Sequence, residues 1–364
     1  MFFNKFVNQL KPYTVSSHRA WEFVDDDEIL KLDWNEATIQ PSGHVQNSLL
    51  EYFKTGRLNW YPDVDNTHLR SKLSEYVGVD QKFIEYFASS DALHEYVIRA
   101  FINPNDVITM IAPTYDNFRA AAESVGAVVD YFTLDAGDDF SFCLEDFKDH
   151  LYKVRPKTVY LCNPNNPTGT LYSVELIESI VRQFNDVLFV IDEAYFEFSG
   201  TTCANLVADF ENIVICRTFS KAFALASFRV GYAISSIHNI NGLRKIRNPK
   251  NISSASQIAA VSALEDVEYM KNYVVEVALA KSQFIQNLKS VNISVIGSQG
   301  GNYVLVNFER WQEKMVPFLE KNKVFVRNYG HVQGMGKYTR ITVGTKAQMH
   351  LVFSLINSVV SQGE

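Results

Sequence analysis

Six short runs in the first two thirds of the chain are almost continuously apolar and rich in β-branched residues: 107–113, 128–134, 158–164, 187–195, 212–219 and 230–236. A strand with one face in water alternates apolar and polar side chains, so unbroken runs predict strands covered on both faces. Between them the period lengthens to 3.6 residues. Leu93, Val97, Ala100 and Phe101 fall on one helical face, and Leu176, Ile177, Ile180, Val181 and Phe184 on another. Ser90 and Ser173 stand where they would cap these two helices. Strand alternating with helix predicts an α/β fold with a mostly parallel sheet between helices, in a large domain spanning 45–250.

The pattern changes near residue 250. A helical stretch over 254–290 is followed by strand-like runs at 302–308, 324–328 and 338–344, with a helix between the first two and another at the end. This predicts a smaller α+β domain of residues 251–364, to which residues 1–44 return. No repeat or low-complexity tract interrupts the 364 residues.

Composition narrows the class. With 47% apolar and 21% charged residues the chain is globular, which excludes a disordered chain and a fibrous rod. The net charge of −7 lacks the basic excess of a nucleic-acid binder. Four cysteines form no C-x-x-C pair and eight histidines no H-E-x-x-H, so no metal is expected. No run reaches the ~18 apolar residues of a membrane span. The N-terminus (MFFNKFVNQLKPY) lacks a signal-peptide core, so a cytoplasmic protein with reduced thiols is expected. A nicotinamide-dependent dehydrogenase would need G-x-G-x-x-G and a nucleotide triphosphatase a P-loop, and neither is present.

In parallel α/β sheets, ligands bind beyond the carboxyl ends of the strands. Three runs end in candidate chemistry: 158–162 enters Asn-Pro-Asn-Asn-Pro-Thr-Gly (163–169), 187–191 ends at Asp192 with Tyr195 close behind, and 212–216 leads to Arg217-Thr-Phe-Ser-Lys221. A lysine at a strand end is a Schiff-base candidate. A carboxylate facing it could hold a cation such as a protonated pyridine nitrogen. The Ser89-Ser90-Asp91 turn opens a helix whose free N–H groups suit a phosphate. An aldehyde, a pyridinium and a phosphate on one ligand describe pyridoxal 5′-phosphate. Singly, each feature is ordinary, since strand-end Asp residues cap turns and Asn-Pro-Thr-Gly is a good turn. The ordered combination carries the argument.

The segment Thr218-Phe-Ser-Lys-Ala-Phe-Ala-Leu-Ala-Ser-Phe-Arg-Val-Gly-Tyr232 resembles the lysine segment of class I/II aminotransferases, the fold-type I pyridoxal-phosphate enzymes. It is most similar to the histidinol-phosphate aminotransferases. The supporting motifs keep the family's order: Trp60-Tyr-Pro-Asp63, Ser89-Ser-Asp91, Ala112-Pro-Thr-Tyr115, the 163–169 turn, Ile191-Asp-Glu-Ala-Tyr195 and Arg340-Ile-Thr-Val-Gly344. The resemblance covers the chain from about residue 30 onward.

The resemblance implies a set of roles. Lys221 would bond the cofactor aldehyde and then carry the proton between the substrate carbon and the cofactor. Asp192 would pair with the ring nitrogen and keep it protonated. Asn166 and Tyr195 would donate to the phenolate oxygen, and Tyr115 would stack on the ring. The N–H groups of Ser90, Asp91 and Ala92, with Ser220 and Arg229, would take the phosphate. Tyr61 would reach that phosphate from a neighbouring subunit, which implies a homodimer with composite sites. Arg340 would grip the carboxylate of glutamate, Arg327 would join it on a substrate phosphate, and Tyr13 would close over the site.

Three departures stand out: Ala92 where the family usually has Glu, Trp34-Asn-Glu-Ala-Thr38 where it reads Asn-Glu-Asn-Pro, and Ser227 for a frequent Gly. The second lies where family members shape the amine-side pocket. The expected activity is transamination between an amino donor and a keto acceptor: glutamate/2-oxoglutarate on one side, histidinol phosphate/imidazole acetol phosphate on the other, in histidine biosynthesis. The rivals are a decarboxylase of the threonine-phosphate type and an aminotransferase for another phosphorylated or aromatic substrate.

Overall fold

The structure is a computed structural model, and it describes residues 2–12, 19–26, 28–297, 299–332 and 334–362. In chain order the strands are β1 (Leu30–Leu32), β2 (Ile84–Phe87), β3 (Val107–Ala112), β4 (Val128–Thr133), β5 (Thr158–Cys162), β6 (Leu188–Asp192), β7 (Ile213–Thr218), β8 (Gly231–Ser235), β9 (Ser294–Ile296), β10 (Tyr303–Asn307), β11 (Val324–Asn328) and β12 (Tyr338–Thr342). Seven form one sheet in the order β2-β8-β7-β6-β5-β3-β4, and five form a second in the order β1-β11-β12-β10-β9. In the larger sheet only β8 runs against its neighbours, antiparallel to both β2 and β7.

Every residue of β5, β6, β7 and β8 is buried, which is why their sequences read as unbroken apolar runs. Alternate residues of β6 serve opposite cores: Phe189 and Ile191 pack into one cluster, Leu188 and Val190 into the other. The run at 128–134 reads the same way but forms the edge strand β4, where Val128 is 52% exposed. β2 has no signature in the sequence because Glu85 sits in its middle. That carboxylate is fully buried, held by Arg70 (3.1 Å), Arg244 (2.5 Å) and Arg247 (3.3 Å) from elsewhere in the chain.

Two helix expectations are corrected. The helix Ser90–Phe101 is capped by Ser89, whose Oγ accepts the Ala92 N–H at 3.1 Å, rather than by Ser90. Its buried face is Leu93, His94, Val97 and Ile98, while Ala100 is exposed. The stretch 254–290 is two helices, Ser254–Glu265 and Val267–Ser290, because Asp266 has left the helical region (φ −121°, ψ 46°).

β1 pairs in parallel with β11, Leu30 opposite Val324, so the N-terminal segment joins the C-terminal sheet. β11 and β12 are antiparallel, with Arg327 directly opposite Arg340. The helices Val267–Ser290 and Lys346–Ser361 cover this sheet through Tyr273, Val277, Phe284, Met349 and Val352.

Candidate active site

β6 is the middle strand of its sheet, and its register pairs Asp192 with Cys162 on β5 and with Cys216 on β7. The chain therefore delivers Asp192 to the carboxyl edge where the turn after β5 and the loop after β7 also emerge. A cavity of about 710 Å³ opens there, and residues of both sheets line it. Ser90, Asp91, Tyr115, Asn166, Asp192, Tyr195, Ser220, Lys221, Arg229, Arg327 and Arg340 all face this cavity.

Lys221 donates from Nζ to the carbonyl oxygen of Trp34 at 2.7 Å. Burial lowers its pKa to about 8, with Arg340 pushing the same way and Glu36 opposing. A substantial share of the amine is thus unprotonated near pH 8, as a nucleophile for an aldehyde requires. Asp192 is 3% exposed and is satisfied by neutral donors: the Ala194 N–H reaches Oδ1 at 3.1 Å and the Tyr160 hydroxyl reaches Oδ2 at 2.7 Å. Burial, reinforced by Asp192, raises the Tyr160 phenol well above its ordinary range, so it stays a donor. His94 Nε2 lies 3.4 Å from the same Oδ2, and neither ring nitrogen makes a hydrogen bond to the described residues. A carboxylate so enclosed has favourable use for a cationic ligand atom.

The Tyr195 hydroxyl accepts from Asn35 Nδ2 (3.0 Å) and Asn166 Nδ2 (3.2 Å). Arg340, 6% exposed, donates to Asn166 Oδ1 at 2.5 Å and to the Asp33 carbonyl. At the opposite wall Arg229 donates to Asp91 Oδ2 at 3.0 Å and approaches Ser220 Oγ at 3.4 Å. The Tyr115 hydroxyl donates to Asp91 Oδ1 at 2.9 Å, so one carboxylate joins Tyr115 to Arg229. The start of the Ser90–Phe101 helix lies against Gly231 of β8. A Cβ there would sit 2.5 Å from the Ser90 nitrogen, so glycine is what permits this close approach.

Some expected residues are elsewhere. The Ala92 N–H is already used by Ser89, and Ala92 does not line the cavity. Tyr61 is 76% exposed with Lys250 Nζ 4.1 Å above its ring, away from the cavity of its own chain. Tyr13 lies outside the described residues. Sequence reasoning missed Asp33, Asn35, His94 and Tyr160 as neighbours of the functional groups. Asn35 stood inside a motif noticed only for departing from the family, and His94 reads as one more position on a helix.

An amine, a buried carboxylate on the central strand, and an end built from a helix start, a hydroxyl and a guanidinium fit an aromatic aldehyde with a basic ring nitrogen and a phosphate. Among the described residues no group of His, Cys, Asp and Glu could hold a metal ion, and no helix is long and apolar enough to cross a membrane.

Known proteins resemble this chain over nearly its whole length. The model of the aminotransferase class I and II family matches residues 27–356. The chain is 43% identical to a protein of Campylobacter jejuni named dihydroxyacetone phosphate transaminase, over 96% of this chain and 95% of the relative. It is 32% identical to a histidinol-phosphate aminotransferase of Ruminiclostridium cellulolyticum, over 91% of this chain and 92% of that one. The crystal structure of histidinol-phosphate aminotransferase from Sinorhizobium meliloti, in complex with pyridoxal 5′-phosphate, superposes with a TM-score of 0.89 at 23% identity, covering 100% of this chain and 98% of the other.

Proposed function

This chain belongs to the aminotransferase class I and II family, and on that premise we propose that it moves an amino group between glutamate and a small ketone carrying a phosphoryloxymethyl arm. It is a pyridoxal-phosphate enzyme of the fold-type I class. The bound cofactor supplies a protonated ring that accepts the electrons left on the substrate carbon when a proton departs. In this reading residues 45–250 hold that cofactor, and residues 1–44 with 251–364 bring the substrate arginines to it.

The chain's own groups then divide the work. The Lys221 amine, positioned by its hydrogen bond to the Trp34 carbonyl, would bind the cofactor aldehyde and then carry the proton. Asp192 holds the ring nitrogen protonated, its own position set by Ala194 and Tyr160. Tyr195 and Asn166 hold the phenolate side, and Tyr115 covers a ring face. The N–H groups of Ser90 and Asp91 receive the phosphate together with Ser220 and Arg229.

The observation that carries the substrate reading is the pairing of Arg327 and Arg340 at opposed positions of β11 and β12, both on the cavity wall. Opposed residues of an antiparallel pair stand on the same face of the sheet, so two cationic arms can converge on one dianion. Dihydroxyacetone phosphate and imidazole acetol phosphate share the unit this would recognise, a carbonyl one carbon from a phosphate ester. They differ only in the other arm. The relative at 43% identity favours the short hydroxymethyl arm, and the relative at 32% favours the imidazole arm expected from the sequence motifs. We take the hydroxymethyl arm as the better supported.

Tyr61 lies within an exposed apolar stretch with Leu50, Phe53, Leu58 and Trp60, which supports a homodimer in which Tyr61 reaches the partner's site. The cellular setting we infer is the cytoplasm.

The test is a half-reaction screen. The absorbance of the cofactor-loaded protein is followed after separate additions of glutamate, serinol phosphate (the amine corresponding to dihydroxyacetone phosphate), histidinol phosphate, phenylalanine and phosphothreonine. Conversion to the amino form by glutamate and serinol phosphate supports the proposal. Conversion by histidinol phosphate in preference to serinol phosphate reassigns the arm. Carbon dioxide released from phosphothreonine, without conversion by glutamate, overturns transamination in favour of decarboxylation.

A further inference from the structure

Three consecutive residues of the N-terminal segment each hold one functional group. The Asp33 carbonyl accepts from Arg340, the Trp34 carbonyl accepts from Lys221, and the Asn35 side chain donates to Tyr195. We propose that Asn35 is a positioning residue that turns the Tyr195 hydroxyl into a dedicated hydrogen-bond donor toward the bound cofactor. The inference rests on the pyridoxal-phosphate reading and adds to it a residue outside the cofactor shell.

The protons and lone pairs around the Tyr195 oxygen set its direction of donation. A phenol offers one O–H and two lone pairs. Here two amide groups, Asn35 Nδ2 and Asn166 Nδ2, both point at the oxygen. The orientation of Asn166 is fixed, because its Oδ1 meets Arg340, which has no acceptor to offer. Asn35 is fixed by Thr342, whose Oγ1 accepts the Asn35 backbone N–H at 3.0 Å and donates to Oδ1 at 3.1 Å. That leaves Nδ2 for the phenol. With both lone pairs engaged, the Tyr195 proton is left for an acceptor in the cavity that this side chain lines.

Asn35 is itself held on every side. It is fully buried, its carbonyl accepts from Asn302 Nδ2 at 3.1 Å, and its φ of 58° is a left-handed conformation that asparagine tolerates better than most residues. Burial drives the Tyr195 pKa upward, so the phenol keeps its proton, while Arg340 and the Asn35 hydrogen bond oppose that shift and Cys162 and Asp192 reinforce it. Donation from this proton to the cofactor's phenolate oxygen stabilises the deprotonated cofactor–lysine chromophore and lowers its titration midpoint.

The test is a spectrophotometric pH titration of the holoenzyme. Asn35→Gly, which keeps the backbone conformation, frees one lone pair and lets the hydroxyl rotate. The midpoint is expected to rise by about 0.4–1 pH unit, the equivalent of one hydrogen bond. Tyr195→Phe raises it at least as far, and the double variant is expected to match Tyr195→Phe alone, because Asn35 acts only through the phenol. Asn35→Asp, isosteric and equally tolerant of the left-handed backbone, presents an acceptor where the amide donated. It should raise the midpoint further, and it serves as the readout if the glycine variant does not fold. A midpoint unmoved in a folded Asn35 variant while Tyr195→Phe moves it, or shifts that add in the double variant, overturns the inference and makes Asn35 a packing residue. A wild-type holoenzyme with no lysine-bound chromophore overturns the cofactor reading, and this inference with it.

Discussion

Arg327 and Arg340 offer a prediction in which two variants of similar chemistry give different patterns. Arg340 is nearly enclosed, and two of its nitrogens are committed to Asn166 Oδ1 and the Asp33 carbonyl. Arg327 faces it across the β11–β12 pair and carries the second charge that a dianion would use. Loss of a charge-assisted hydrogen bond costs about 1.5–3 kcal/mol, a factor of roughly 10–150 in transition-state binding. Arg327→Ala should therefore lower kcat/KM for serinol phosphate by that factor, while the half-reaction with glutamate changes by less than about 3-fold. Arg340→Ala should lower both. It strands Asn166 Oδ1 and the Asp33 carbonyl, and it frees the Asn166 amide that sets Tyr195. Arg340→Lys keeps the charge without the planar fork and should recover only part of the loss. Single-turnover absorbance changes over a range of each amine give the two values of kcat/KM. Equal, small losses for both amines in both variants would show that these arginines are structural and would remove the main support for a phosphorylated substrate.

Three further outcomes follow from the geometry. Because burial lowers the Lys221 pKa to about 8, labelling of Lys221 in the apoprotein by an amine-directed reagent should rise with pH through a midpoint near 8; a midpoint near the ordinary lysine value would contradict its enclosure. Glu85→Ala leaves three arginines around a buried site without their carboxylate and should cost about 3–5 kcal/mol in urea unfolding. Glu75→Ala, which removes a 63% exposed partner of Lys72, should stay within about 0.5 kcal/mol, and comparable losses in the two would undo the burial argument. Mixed Lys221→Ala and Tyr61→Phe chains should regain activity through hybrid dimers, whereas a fully active monomer in sedimentation would exclude the composite site.

The parts of this molecule legible in its sequence are those where local chemistry and tertiary role coincide. β5, β6, β7 and β8 are buried on both faces, and their sequences say so. Asp192 and Lys221 were legible because each ends or follows such a strand, where α/β sheets gather ligands. β2 was not, because Glu85 is made acceptable by Arg70, Arg244 and Arg247, which lie 15 to 162 residues away and leave no local signature. The cap at Ser89 was off by one residue, since Ser89 and Ser90 are chemically equal and only the backbone at Ser89, with φ of 90°, decides between them. Asn35 and His94 escaped for a different reason. Each acts by touching another functional residue across the fold, Tyr195 in one case and Asp192 in the other, and spacing along the chain carries no record of that contact.

Whether Lys221 carries pyridoxal phosphate and yields it to a phosphorylated amine is decided by borohydride reduction and peptide mapping of the holoenzyme, with and without prior serinol phosphate. A pyridoxyl group is expected on the Lys221 peptide alone in the untreated protein, and it should disappear after serinol phosphate has converted the cofactor to its amino form. A label on another lysine, or a Lys221 label that serinol phosphate leaves unchanged, would contradict it.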